Sequence, residues 1–195
     1  MKREIGTGIQ DFQKLRMNDR FYVDKTDFIR EWWNGGDDVT LITRPRRFGK
    51  TLNMSMLNCF FSNKYASRGD LFEGLKVWDD PAMREQQGQW PVLFLTFAGI
   101  KQTTFDETRR SINLMLANLY NQYDWMLKEP VFTDADRSLF QSVTRDMEND
   151  LAAVSIRQLC EWLSRYYGKN VLIFLDEYDT PLQEAYLNGY WDELV

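Results

Sequence analysis

The stretch Val39-Thr40-Leu41-Ile42-Thr43-Arg44-Pro45-Arg46-Arg47-Phe48-Gly49-Lys50-Thr51 decides the fold. Its first five residues are β-prone and follow a turn, so they read as a buried strand. Lys50 to Phe61 reads as a helix, with Leu52, Met56, Leu57 and Phe60 on one stripe. Arg44–Thr51 joins the two. It matches the last three positions of the phosphate-loop pattern G-x-x-x-x-G-K-[ST], in the right place between strand and helix.

The residue types suit anion binding. Backbone N–H groups of such a loop and of the helix start point at phosphate oxygens, helped by the helix dipole. Gly49 lets the backbone come close. Lys50 is placed to reach the β- and γ-phosphates, and the Thr51 hydroxyl to bind Mg²⁺. The candidate cradle is Arg46, Arg47, Phe48, Gly49, Lys50, Thr51 and Leu52. Cations at a helix start are unfavourable unless an anion joins them, which gives Arg46, Arg47 and Lys50 a purpose. One position departs from the pattern: Arg44 stands where the first Gly belongs. The competing reading is an ordinary helix with a basic first turn, since Gly-Lys-Ser/Thr arises by composition in roughly one chain in ten of this length.

Working outward, Val92–Phe97 reads as a second strand and Val171–Leu175 as a third. The third is almost wholly apolar, as expected where helices cover both sheet faces. Helical spacing marks 104–123, 134–148 and 155–167, while 62–90 looks irregular. Strands alternating with helices predict an α/β fold with a mainly parallel sheet. The expected organisation is one domain over 1–195, with a lead-in segment at 1–38 and a core at 39–195.

The third strand runs straight into Asp176-Glu177. An apolar strand ending in Asp-Glu is the Walker B pattern, in which the Asp holds Mg²⁺ through water and the Glu acts as general base. Lys50 and Glu177 are therefore the catalytic candidates, and Thr51 and Asp176 the metal candidates. A solvated strand end is the plainer alternative for the pair. Asp179 is either a second carboxylate behind the site or the cap of the turn at Thr180-Pro181.

Composition narrows the function classes. Hydrophobic residues make up 44% of 195 residues, enough for a sizeable core. The net charge of −5 argues against coating nucleic acid by bulk charge. There is no His, which removes Ser-His-Asp triads, Cys-His dyads and most transition-metal sites. Two isolated cysteines, Cys59 and Cys160, make neither a disulfide framework nor a zinc site. No apolar run is long enough for a membrane span and no signal-peptide pattern opens the chain, so a cytoplasmic location is expected.

Four blocks carry a resemblance: Gly8–Phe12, Tyr22-Val23-Asp24-Lys25-Thr26, Thr43–Leu52, and Leu175-Asp176-Glu177-Tyr178-Asp179-Thr180-Pro181-Leu182. Together they resemble the AAA-type ATPase-like family of bacteria, over essentially the whole chain. The resemblance implies a P-loop NTPase fold, three-layer α/β/α, of the additional-strand, catalytic-glutamate class. It implies ATP and Mg²⁺ as ligands, and an Arg at the loop's first position as normal. Longer members are similar to proteins with a C-terminal nuclease-like effector domain, so a link to nucleic acid is indirect.

In that fold class a sensor strand, a last strand and often an arginine finger follow Walker B. Only Pro181–Val195 remains here, and Pro181–Tyr190 reads as a loop and short helix. The expectation is a core incomplete at its C-terminus, with weak or no turnover by itself and a sheet edge that favours oligomers. The functional expectation is ATP binding and Mg²⁺-dependent hydrolysis driving an effector domain or partner chain. The alternatives are a non-hydrolysing regulatory module and an inactive fragment. Phe12 or Tyr22, in the segment before the loop, is a candidate to stack on adenine.

Overall fold

The computed structural model describes residues 4–6, 8–43 and 48–195. Its contacts divide the chain into two units, Met1–Phe94 with Leu172–Asp176, and Leu95–Val171 with Glu177–Val195.

Among its described residues the first unit holds four α-helices. α1 (Phe12–Met17) starts at Asp11, whose carboxylate accepts the Lys14 N–H at 2.8 Å. α2 (Asp27–Gly35) ends because Gly36 takes the left-handed conformation, φ 67°. α3 (Lys50–Phe61) follows the loop, and α4 (Pro81–Gln86) is capped by Asp80, with Pro81 in the first turn. Short 3₁₀ turns fill much of 63–79. The core is aromatic. Phe12 stacks on Phe72 at 5.2 Å, Phe60 meets Phe72 edge-on at 5.0 Å, and Trp33 stacks on Phe61 at 5.1 Å.

Two strands form among the described residues, β1 (Val92–Thr96) and β2 (Leu172–Asp176), paired in parallel. The Leu172 N–H donates to the Pro91 carbonyl at 3.0 Å, which sets the register. The fold is thus mixed α/β with a small parallel sheet. Two strand expectations need correction. Val39–Thr43 is not a strand: Val39 is 87% and Leu41 62% exposed. Strand formation depends on a neighbour as much as on propensity, and these residues have no strand partner in the described sheet. Nor is β2 covered on both faces. Phe174 is buried, but Ile173 and Leu175 are 43% and 42% exposed on the opposite face. β1 does match the expectation, with Val92, Leu93 and Leu95 all buried.

The second unit contains α5 (Phe105–Asn121), α6 (Asp134–Ser142), α7 (Asn149–Tyr167), α8 (Thr180–Asn188) and α9 (Trp191–Leu194). Thr133 and Asp136 form a reciprocal capping box at the start of α6. Helix α7 starts at Asn149, earlier than its apolar spacing predicts, and the region 143–148 is outside any helix. The core gathers Tyr120, Phe132, Phe140 and Trp162, with Tyr120–Phe140 and Phe132–Trp162 centroids both 4.9 Å apart. Two polar groups brought inside show their partners directly. The Tyr120 hydroxyl donates to the Ser155 carbonyl at 2.8 Å, and the Trp162 indole N–H to Asp136 Oδ1 at 2.8 Å.

Candidate functional site

Four residues of the phosphate loop, Arg44, Pro45, Arg46 and Arg47, lie outside the described residues. The rest of the loop is clear. Phe48 is exposed, and Gly49 holds φ 77° at the N-cap of α3. Among the described residues a Cβ on Gly49 would meet nothing within 4 Å, and the left-handed backbone itself calls for a glycine. Its carbonyl accepts the Asn53 N–H at 2.9 Å, the first bond of the helix.

Lys50 and Thr51 are half-buried in the first turn of α3, and Leu52 packs against the core. Gly49 has no side chain to cap this helix, and its first turn holds no acidic residue. The leading N–H groups, the positive end of the dipole and the Lys50 charge therefore all favour an anion here.

The blocks upstream hold α3 in place. The Phe12 N–H donates to Ser55 Oγ at 3.0 Å, and the Tyr22 hydroxyl to Met56 Sδ at 3.2 Å. Phe12 is 0% exposed, and burial pushes the Tyr22 phenol up to about 12. Phe12 is thus a core residue with no face to offer a base. Asp24 and Thr26 form a lock. Asp24 Oδ1 accepts from the Thr26 N–H and hydroxyl at 2.9 and 2.6 Å, and Oδ2 from the Lys76 N–H at 2.9 Å. Thr26 Oγ1 in turn accepts the Val77 N–H at 3.1 Å. Desolvation opposes the Asp24 charge, but these hydrogen bonds outweigh it and hold the carboxyl below its ordinary value. The Tyr22–Thr26 block is explained by this lock.

At the other half of the site, β2 delivers Asp176 at its carboxyl end, 6% exposed and on the covered face with Phe174. Helix α3 packs directly on β2. The first unit therefore brings the helix that opens with Lys50-Thr51 against the strand that ends in Asp176. Glu177 belongs to the second unit, is exposed, and has φ 49°, a left-handed backbone that a glutamate rarely adopts. Non-glycine residues in this region cluster at functional sites. Asp179 sits at the N-cap position of α8 but makes no capping bond. Its Oδ2 accepts from Gln183 Nε2 at 2.6 Å. Thr180 is the partner that spacing alone did not reveal: its hydroxyl donates to Glu177 Oε2 at 3.5 Å.

A hydroxyl and a carboxylate suit Mg²⁺, which keeps several waters and takes one or two carboxylates beside substrate phosphates. Among the described residues no group of three or more His, Cys, Asp and Glu forms a cage of its own. Cys59 and Cys160 are free thiols, and burial pushes them up to about 12 and about 11, so neither supplies a thiolate near neutral pH.

No solved structure matches the chain. An uncharacterized protein in the vnfD 5′ region of Azotobacter chroococcum mcd 1 is 36% identical over 183 residues, 93% of this chain. The chain spans 30% of the length of that relative. The model of the family described as Predicted AAA-ATPase matches residues 6–194, and with the Gly49-Lys50-Thr51 helix start beside the Asp176 strand, the chain belongs to the AAA-ATPase-like family.

Proposed function

We propose that this chain is the nucleotide-binding module of an ATPase. The observation that carries the reading is the left-handed Gly49 opening α3 with Lys50 and Thr51, on a helix packed against the strand that ends in buried Asp176. The triphosphate sits at the α3 N-terminus, cradled by the backbone from Arg46 to Leu52. Lys50 neutralises the β- and γ-phosphates. Thr51 and Asp176 are the residues that would hold Mg²⁺, which would offset phosphate charge. Glu177 takes the proton of the attacking water as general base. The three-layer P-loop fold, the effector domain or partner chain that hydrolysis drives, and assembly into homo-oligomers belong to the same proposal.

A second reading, a module that holds nucleotide without hydrolysing it, is favoured by one observation. The segment Val39–Thr43, which leads into the loop, is exposed and forms no strand. Calorimetry with a non-hydrolysable ATP analogue and Mg²⁺ tests binding. The wild-type chain binds, and Lys50→Ala weakens binding by about tenfold or more, the value of one charge-assisted phosphate contact. Equal binding by the two chains sinks the proposal. Binding without phosphate release from ATP selects the second reading.

A further inference from the structure

The chain leaves β2 at Asp176 and turns at Glu177, whose φ of 49° is strained for a residue with a Cβ. Two bonds from a single residue hold that turn. The Thr180 N–H donates to the Glu177 carbonyl at 3.0 Å, closing a four-residue turn. The Thr180 hydroxyl donates to Glu177 Oε2 at 3.5 Å. Thr180 is itself well anchored. It is the first residue of α8, it is followed by the buried Pro181, and its helix is seated by Ala185, which is fully buried. The neighbouring carboxylate has its own partner: Asp179 Oδ2 accepts from Gln183 Nε2 at 2.6 Å.

An exposed glutamate at a strained turn would otherwise spread over many rotamers, and a general base that wanders loses most of its effect. We infer, resting on the ATPase reading, that Thr180 is a positioning residue for Glu177. Its hydroxyl fixes Oε2, which leaves Oε1 to accept the proton of the attacking water. The hydroxyl bond is long at 3.5 Å, and catalytic hydrogen bonds commonly tighten when substrate binds.

The test compares Thr180→Val and Thr180→Ser with the wild-type chain. Valine keeps the backbone N–H and the turn and removes only the hydroxyl; serine restores it. Steady-state ATP hydrolysis gives kcat and KM, calorimetry gives the Kd of the Mg²⁺-loaded non-hydrolysable analogue, and thermal melting reports folding. Thr180→Val lowers kcat by about tenfold or more, the worth of one hydrogen bond to a charged group. KM, Kd and Tm stay at wild-type values, and Thr180→Ser recovers most of kcat. An unchanged kcat in Thr180→Val overturns the inference while wild-type turnover keeps the ATPase reading. A joint fall in kcat, affinity and Tm also overturns it, because Thr180 would then be structural. A wild-type chain that binds the analogue and releases no phosphate overturns the general-base role of Glu177 and this inference together.

Discussion

Tyr190 and Thr108, 82 positions apart in the chain, share a buried hydroxyl–hydroxyl hydrogen bond of 2.9 Å. Tyr190 has one proton, and it goes to the Gln102 carbonyl at 2.9 Å, so Thr108 must be the donor in the shared bond. The pair fastens the segment after α8 to the start of α5 within the second unit. Tyr190→Phe removes both bonds at once and leaves a buried carbonyl and hydroxyl short of a partner. The expected loss is about 1–3 kcal/mol in urea unfolding. A midpoint equal to wild type would show that the pair contributes nothing.

Asp136 accepts from the Thr133 N–H and hydroxyl, both at 2.9 Å, from the Trp162 indole at 2.8 Å and from Arg165 at 2.8 Å. Desolvation opposes its charge, but these donors prevail and hold the carboxyl far below its ordinary 3.8. The folded state thus favours the ionised form. The resulting stability is fully present above pH 3.8 and is lost as pH falls through the depressed folded value. Denaturant midpoints measured from pH 6 downward should therefore fall more steeply for wild type than for Asp136→Asn, and the two curves should converge in acid. Parallel curves would remove Asp136 from the acid response.

Gly49 holds a φ of 77°, and no described residue would crowd a side chain there. Substitutions should then rank by tolerance of the left-handed region, not by size. Gly49→Asn is milder than Gly49→Ala, which costs about 1–2 kcal/mol and weakens analogue binding. Thermal melts and calorimetry on the two variants check the order. Equal effects would point to a steric or chemical demand instead.

Phe12 lies between Phe72 and Tyr22, with centroids at 5.2 and 5.5 Å. Phe12→Ala should cost about 3–5 kcal/mol through the cavity it opens. The affinity of the remaining folded protein for the ATP analogue should not change. A specific loss of affinity without loss of stability would return Phe12 to the nucleotide site.

Glu177 has an ordinary solvated side chain on a strained backbone. Asparagine tolerates that backbone better. Glu177→Asn should keep or raise stability, by up to about 1 kcal/mol, while abolishing phosphate release and leaving analogue binding intact. A clear drop in Tm would mean that the carboxylate has a structural partner beyond Thr180.

Much of this was legible because the signals are local. The Thr133-x-x-Asp136 box starts α6, and Gly36, Gly168 and Gly189 follow the ends of α2, α7 and α8 with positive φ. Helices α5 and α7 show their apolar stripes within their own residues. In the candidate site, Gly49-Lys50-Thr51 and Asp176-Glu177 stand out because they match patterns that phosphate and metal chemistry favour. The same local reasoning failed for Val39–Thr43, whose composition is as β-prone as that of β1 yet which stays exposed.

By itself, then, the sequence determined helices α3 and α5, the family, and which residues to nominate for a nucleotide. Tertiary structure alone decided three further matters: that β1 pairs with β2 while 39–43 does not, that Phe12 is core, and that Thr180 reaches the Glu177 carboxylate at a left-handed turn. The physical reason is range. Caps and helical stripes are settled within a few residues of each other, whereas strand pairing, burial and side-chain aim depend on which distant segments arrive alongside.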